Sequence, residues 1–222
     1  MTFRSGVVDT RRIMVILIGT MGMLILMLLS RKKYPHIRLW MYPVISLLLT
    51  VAGVAGTMLM FYIETGRFGG TSFFGAILFV PVLMLPVLLL RIPYRTLMDL
   101  CAPAESLMLA VMKLDCLAQG CCSGKYFPSL DFRFPSQIVE MIVTLCIMLL
   151  LLYIRKDPCK EGSLYGWYLI IYGSTRFVLN WFRHGISPFV WLLPAGNFWS
   201  LIAVAFGLLW LLVMKKLYNK KV

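Results

Sequence analysis

Residues 164–182 read LYGWYLIIYGSTRFVLNWF, an apolar run long enough to cross a lipid bilayer that nevertheless contains Arg176. About 20 apolar residues are needed to cross a hydrocarbon core roughly 30 Å thick. An arginine within such a run costs about 2.5–3.5 kcal/mol on the translocon insertion scale, so it requires a partner. The run therefore predicts a transmembrane helix that carries a charge into the interior of a helical bundle.

The rest of the chain has the same apolar character. Hydrophobic residues make up 60% of the 222 residues and charged residues only 14%, a balance that is rare in water-soluble domains. Hydropathy predicts seven spans, at 13–30, 39–63, 72–90, 97–119, 137–154, 164–182 and 197–214. We therefore predict an all-α, polytopic membrane protein in which residues 1–222 form a single integral membrane domain.

The basic residues alternate between loops and predict the orientation. Of the 22 Lys and Arg residues, 13 fall in one set of loops and 7 in the other, while Lys113 and Arg176 lie inside spans. The positive-inside rule then places the N-terminus outside and the C-terminus in the cytoplasm. Segments 64–71, 119–136 and 183–196 gather on the outer face. Because the charge of +13 lies in short loop clusters, it indicates anionic lipid and no nucleic acid as the partner.

The sixth span also places four polar side chains on one face of a helix. Their spacings of four, four and three residues align Tyr172, Arg176, Asn180 and Arg183. The guanidinium group is always charged and matches the geometry of a phosphate, which makes a phospholipid headgroup a natural ligand. The alternative is an ion pair of Arg176 with Glu140 or Asp115 that only holds helices together. Both interpretations stay open at this point.

The fourth span keeps four ionisable residues, so it is expected to face protein or water. It ends in KLDCLAQGCCSGK, residues 113–125, where glycines allow a tight bend and Lys125 with backbone amides favours an anion. Helix capping by glycine is the simpler alternative. The adjacent Cys121 and Cys122 favour a vicinal disulfide or a reactive thiol over a metal site, because no Cys-x-x-Cys or histidine set accompanies them.

Two other segments carry polar or flexible residues next to spans. Residues 134–140, FPSQIVE, bury Gln137 and Glu140 about one turn apart at the start of the fifth span. These side chains either accept hydrogen bonds from arginine or a glycerol hydroxyl, or satisfy the backbone of a neighbouring helix. Upstream, Gly69 and Gly70 belong to a glycine-rich stretch that favours a re-entrant turn or close helix packing.

Taken together, six segments resemble the prolipoprotein diacylglyceryl transferase family, and they occur in that family's order. They cover most of the chain from about residue 64 onward. The segments are GGTSFFG at 69–75, LMDLCAP at 97–103, the 113–125 segment, PSQIVE at 135–140, YGSTRF at 172–177 with Arg183, and GNFWS at 196–200.

The resemblance implies a seven-helix enzyme of the bacterial plasma membrane that uses no cofactor or metal. Its donor would be phosphatidylglycerol, its acceptor the cysteine of a prolipoprotein lipobox, and its by-product glycerol phosphate. By position, the resemblance makes Arg176, Lys113 and Glu140 the catalytic residues. The residues that it implies for substrate binding are Arg183, Gln137, Gly124, Lys125, Asn180, Gly69, Gly70 and Tyr172.

The chain departs from the family pattern at several of these positions. It has Phe74 where the family often has His or Tyr, Lys113 where it has Arg, and Asn180 where it often has Glu. Phenylalanine lacks a basic ring, and lysine offers a point charge in place of a planar fork. A second hypothesis is therefore a non-catalytic phospholipid-binding protein, or a lipid or solute transporter, that retains the phosphate pocket.

Overall fold

The chain folds into a bundle of apolar helices with two small strand pairs in its loops. The structure, a computed structural model, describes residues 10–35, 37–121, 123–155, 162–183, 188–190 and 193–219. Within these ranges the α-helices are α1 (Thr10–Leu29), α2 (Met41–Thr65), α3 (Phe73–Leu83), α4 (Tyr94–Ala118), α5 (Ser136–Ile154), α6 (Leu164–Asn180) and α7 (Ala195–Asn219). The antiparallel strand pairs are β1 (Tyr126–Phe127) with β2 (Phe132–Arg133), and β3 (Pro188–Val190) with β4 (Leu193–Pro194).

Five helical segments of the described chain are long and apolar enough to cross a membrane. They are Thr10–Leu29, Met41–Thr65, Phe73–Leu90, Ser136–Ile154 and Ala195–Leu217. Helices α4 and α6 fall outside this set, since α4 carries several charged residues and α6 has only 17 residues. The prediction of an all-α, multi-pass membrane protein is thus confirmed, whereas the number of seven spans stays a prediction.

The third predicted span, 72–90, consists of two consecutive helical segments, and Pro81 lies inside the first of them. Helix α3 ends at Leu83, and a 3₁₀ segment continues from Leu85 to Leu90. Pro81 has no N–H group to donate to the carbonyl one turn earlier, at Ile77. The hydroxyl of Tyr165 donates to that carbonyl at 2.6 Å, and the hydroxyl of Tyr94 donates to the carbonyl of Pro81 at 2.6 Å. Tyrosines of neighbouring helices therefore satisfy the backbone carbonyls of Ile77 and Pro81.

Helix α4 lies at the centre of the bundle, where it contacts α1, α3, α5 and α6. Four of its charged residues are buried, with exposures of 2–4%, namely Asp99, Glu105, Lys113 and Asp115. The Asp99 carboxylate accepts hydrogen bonds from the backbone N–H groups of Gly162 and Leu164, at 2.5 and 3.0 Å, and so fixes the start of α6. The prediction that the charged face of this helix avoids lipid is confirmed.

Helices α2 and α3 cross at a pair of glycines. A Cβ atom on Gly75 would lie 2.0 Å from the carbonyl oxygen of Gly56, and one on Gly70 would lie 2.3 Å from the Phe61 ring. Gly69 has a φ of 109°, a conformation that favours glycine. Of the two predicted roles of the glycine-rich stretch, close packing is therefore the one found for Gly70 and Gly75.

This crossing predicts a matched pair of variants. Gly75→Ala should lower the free energy of unfolding by about 1–3 kcal/mol, because the new methyl group must displace the backbone of α2. Gly53→Ala, on α2, should have little effect, since nothing lies within 4 Å of its added Cβ atom. Thermal unfolding of both variants in detergent micelles provides the measurement. Equal stability of the two variants would contradict the crossing.

Candidate functional site

Three cations from two helices and a loop converge on the carboxylate of Glu140 in α5. Lys113 of α4 forms an ion pair with its Oε2 atom, and Arg176 of α6 forms one with its Oε1 atom. The Nε atom of Arg183, just beyond α6, lies 3.9 Å from the same Oε1 atom. The chain therefore brings together all three residues predicted as catalytic, together with Arg183, and we call these four residues the charge cluster.

The charge cluster is buried and carries more positive than negative charge. The side chains of Lys113, Glu140 and Arg176 are 4–6% exposed, and that of Arg183 is 25% exposed. Three positive charges against one carboxylate leave a formal excess of two. Charges removed from water are costly unless partners compensate them. The charge cluster thus suits an anionic ligand, which would balance this excess.

A cavity opens beside these cations. It measures about 10 Å³ as the space open to the centre of a water molecule, which is room for roughly one water. Its lining combines the polar residues of the charge cluster with apolar side chains, namely Leu109, Lys113, Glu140, Val143, Thr144, Tyr172, Thr175, Arg176 and Leu179. Cations, one carboxylate and a phenol therefore face a common space within the bundle.

Two phenylalanines at the start of α3 complete this region. The Phe73 ring lies over the ammonium group of Lys113, with 4.6 Å between Nζ and the ring centroid. The Phe74 ring meets that of Tyr172 edge-on, with centroids 6.0 Å apart. Phe73 was not among the predicted site residues. Its place beside Phe74 in the glycine-rich segment was the only signal for it.

The loop after α4 holds Arg183 at the edge of the charge cluster. Gly124 forms an isolated β-bridge with Arg183, and its N–H group donates to the carbonyl of Phe134 at 3.2 Å. A Cβ atom on Gly124 would lie 2.2 Å from that oxygen, so only glycine fits this contact. The N–H group of Lys125 donates to the carbonyl of Phe182 at 2.8 Å. The backbone of Gly124 thus pairs with that of Arg183 at the edge of the charge cluster.

Other predicted site residues lie apart from the charge cluster or act on the backbone. The amide of Gln137 donates to the carbonyl of Cys121 at 2.6 Å, so it satisfies a neighbouring loop. The side chain of Lys125 is exposed. Asn180 is buried against Gly196, while Gly69 and Gly70 lie in the connection between α2 and α3. Cys122 lies outside the described residues, and with it the vicinal disulfide considered for Cys121 and Cys122.

The two acids considered as partners of Arg176 have different roles. Glu140 pairs with it, whereas Asp115 accepts from the Nε atom of Arg12 at 3.4 Å and from the Gln119 amide at 2.8 Å. In the part of the chain that the structure describes, no group of three or more His, Cys, Asp or Glu side chains converges on a metal position.

Comparison with known proteins gives one family over most of the chain. The family profile described as "Prolipoprotein diacylglyceryl transferase" matches residues 13–213. Similar proteins named phosphatidylglycerol–prolipoprotein diacylglyceryl transferase come from Clostridium tetani, with 26% identity over 126 residues, and from Clostridium perfringens, with 28% identity over 139 residues. These alignments cover 50% and 56% of this chain. The chain spans about half the length of these relatives, 51% and 54%.

The charge cluster predicts that Glu140 is the residue whose loss destabilises the bundle most. Glu140→Gln should lower the free energy of unfolding by about 3–5 kcal/mol, because it leaves buried cations without their carboxylate. Asp115→Asn is the matched control and should cost about 1 kcal/mol or less, since its partner Arg12 is 38% exposed. Unfolding in mixed micelles, titrated with dodecyl sulfate, compares the two variants. A Glu140→Gln variant as stable as Asp115→Asn would refute this account of the charge cluster.

Proposed function

We propose that this chain, which belongs to the prolipoprotein diacylglyceryl transferase family, moves a diacylglyceryl group from phosphatidylglycerol to a protein cysteine or another acceptor. The observation that carries the proposal is the buried excess of positive charge around Glu140, beside a cavity. The names of the Clostridium relatives support the donor and the prolipoprotein acceptor. A lipobox cysteine is the acceptor thiol that we propose.

The reaction is a displacement at the carbon of the diacylated glycerol that is bonded to the phosphate oxygen. The sulfur of the acceptor forms a bond to that carbon, the carbon–oxygen bond breaks, and its electron pair leaves with the phosphate of glycerol phosphate. The proton of the thiol ends on the released phosphate or in water. Negative charge therefore grows on the leaving phosphate, and stabilising it lowers the barrier.

Each member of the charge cluster has a proposed role in this step. Arg176 and Lys113 stabilise the phosphate, and Arg183 assists from the more exposed edge. Both oxygens of Glu140 are engaged by these cations, so we propose that Glu140 positions them. Tyr172 lines the same cavity and would bind the donor through its hydroxyl. An environment that excludes water strengthens these charge effects.

Binding of the donor requires the site to widen. A phosphate with its glycerol is much larger than the single water that the cavity accommodates. The partly exposed Arg183 lies at the edge of the charge cluster, next to the loop anchored by Gly124. We propose that headgroups enter along this edge, and that the ligand's charge replaces part of the Glu140 contacts.

The charged helices also complete the proposed topology. Helices α4 and α6 would cross the bacterial plasma membrane with the other five, since their charges face the protein interior. The excess of Lys and Arg in alternate loops supports an outer N-terminus and a cytoplasmic C-terminus. The charge cluster and the loop that contains Gly124 would then lie towards the outer leaflet.

Phe74 favours a second candidate function, phospholipid binding or movement without chemical turnover. Its apolar ring lies against Tyr172, where a histidine could serve as a base. A protein of this kind would retain anionic lipid but release no glycerol phosphate. The activity measurement below separates the two candidates.

Replacing Arg176 with Ala should lower transfer at least about 100-fold, because it removes a donor directed at the leaving phosphate. Arg176→Lys should have intermediate activity, since an ammonium keeps the charge without the planar fork. The assay supplies purified protein with labelled phosphatidylglycerol and a lipobox peptide, and follows the release of glycerol phosphate.

Arg133→Ala serves as the control for this series. Arg133 is exposed, and its guanidinium donates to the hydroxyl of Ser123 at 3.3 Å. Its replacement should leave the rate unchanged. Full activity of a folded Arg176→Ala protein would refute the proposed role of Arg176. A wild-type protein that retains the lipid without releasing glycerol phosphate would instead support the second candidate.

The proposed orientation predicts which exposed positions a membrane-impermeant thiol reagent reaches in intact cells. In a variant without natural cysteines, a cysteine introduced at Arg133 should react, because β2 would face outside. A cysteine introduced at the exposed Lys32 should react only after the cells are permeabilised. The opposite labelling pattern would show that the orientation is inverted.

A further inference from the structure

Helix α4 ends in a Schellman motif that contains two cysteines. The N–H group of Cys121 donates to the carbonyl of Cys116 at 3.1 Å, and the N–H group of Gly120 donates to the carbonyl of Leu117 at 3.2 Å. Gly120 has a φ of 64°, the left-handed conformation that ends such helices. In this motif a contact between the side chains at the positions of Cys116 and Cys121 is frequent. The helix end therefore brings the backbones of two cysteines from different turns together, joined by a hydrogen bond.

We propose that Cys116 and Cys121 form a redox-active dithiol that exchanges with disulfides. Its substrates would be low-molecular-weight or protein disulfides at the outer face of the membrane. Both residues are thiols in the structure. This pairing differs from a vicinal disulfide between Cys121 and Cys122, and the inference goes beyond the lipid transfer proposed above.

Three contacts hold the backbone around the two thiols. The Gln119 amide donates to Asp115 at 2.8 Å, the Gln137 amide donates to the carbonyl of Cys121 at 2.6 Å, and Arg11 donates to the carbonyl of Ala118 at 3.5 Å. These contacts come from α4 itself, α5 and α1. The turn is thus fixed from several sides, so closing the short ring requires little further ordering of the chain.

The difference in exposure gives the exchange an order. Cys121 is half-buried, whereas Cys116 is 6% exposed. The sulfur of Cys121 would attack one sulfur of the incoming disulfide and release the first thiol. The sulfur of Cys116 then attacks the Cys121 sulfur of the mixed disulfide, and the second thiol leaves. Two electrons and two protons pass to the incoming disulfide, which becomes two thiols.

Peptide mapping of a single variant tests the pairing. Cys122→Ser leaves Cys116 and Cys121 as the two cysteines of the tryptic peptide 114–125. The purified full-length protein is equilibrated in micelles with mixtures of reduced and oxidised glutathione, and its remaining thiols are then alkylated. We expect both thiols of this peptide to be lost together as the oxidised fraction rises, with loss of two hydrogens and no bound glutathione. A reductant should restore them.

Two further variants test the geometry and keep the experiment decisive. Cys121→Ser, in the Cys122→Ser background, should leave Cys116 as a thiol or as a glutathione adduct. Gly120→Ala should shift the midpoint of oxidation towards more oxidised glutathione, because alanine disfavours the left-handed turn while its added Cβ atom meets nothing within 4 Å. The proposal is overturned if neither thiol reacts, if each takes up glutathione separately, or if the wild-type protein pairs Cys121 with Cys122 and leaves Cys116 a thiol.

Discussion

One carboxylate holds together the charged interior of this membrane protein. Glu140 lies on α5 between Lys113 of α4 and Arg176 of α6, so three helices meet at its two oxygens. In a medium without water, each cation needs an opposite charge close by, and a single acid supplies it for both. The positions of α4 and α6, the helices with the most polar character, depend on this arrangement. The unbalanced positive charge that remains suits the phosphate that we propose as the ligand.

Contacts between neighbouring helices explain how the polar helices α4 and α6 are accommodated in an apolar bundle. Asp99 fixes the start of α6 through two backbone N–H groups, and Tyr165 from α6 satisfies the carbonyl that Pro81 leaves unpaired in α3. The glycine pair Gly56 and Gly75 lets α2 and α3 approach closely. Polar groups are therefore satisfied by neighbouring helices, which is the general condition for irregular backbone at membrane depth. These contacts hold α6, the helix that carries Arg176, and α3, the helix that carries Phe73 and Phe74.

Most of the fold could be predicted from sequence because hydropathy is a local property. The apolar runs located the helices, and the third run, apolar throughout, consists in the structure of α3 followed by a 3₁₀ segment, a change of helix type that hydropathy does not report. A four-residue spacing also placed Tyr172 and Arg176 on one face, and both line the cavity. These signals depend on neighbours along the chain.

The remaining features of the site depend on how helices are rotated against one another, which the spacing of residues does not give. Sequence could not decide between Glu140 and Asp115 as the partner of Arg176, because both acids lie on buried faces. Two roles stayed open for Gln137, and sequence could not show that its amide donates to the carbonyl of a loop residue. Phe73 had no polar signal, yet its ring covers Lys113. Such contacts are long-range and follow only from packing.

We propose that the excess positive charge around Glu140 selects an anionic phospholipid. Native mass spectrometry of the protein, released from micelles with equal amounts of phosphatidylglycerol and phosphatidylcholine, tests it most directly. We predict at least about tenfold preferential retention of phosphatidylglycerol, equivalent to about 1.4 kcal/mol, and loss of this preference in Arg176→Gln. Equal retention of the two lipids, or a preference unchanged in the variant, would contradict the claim.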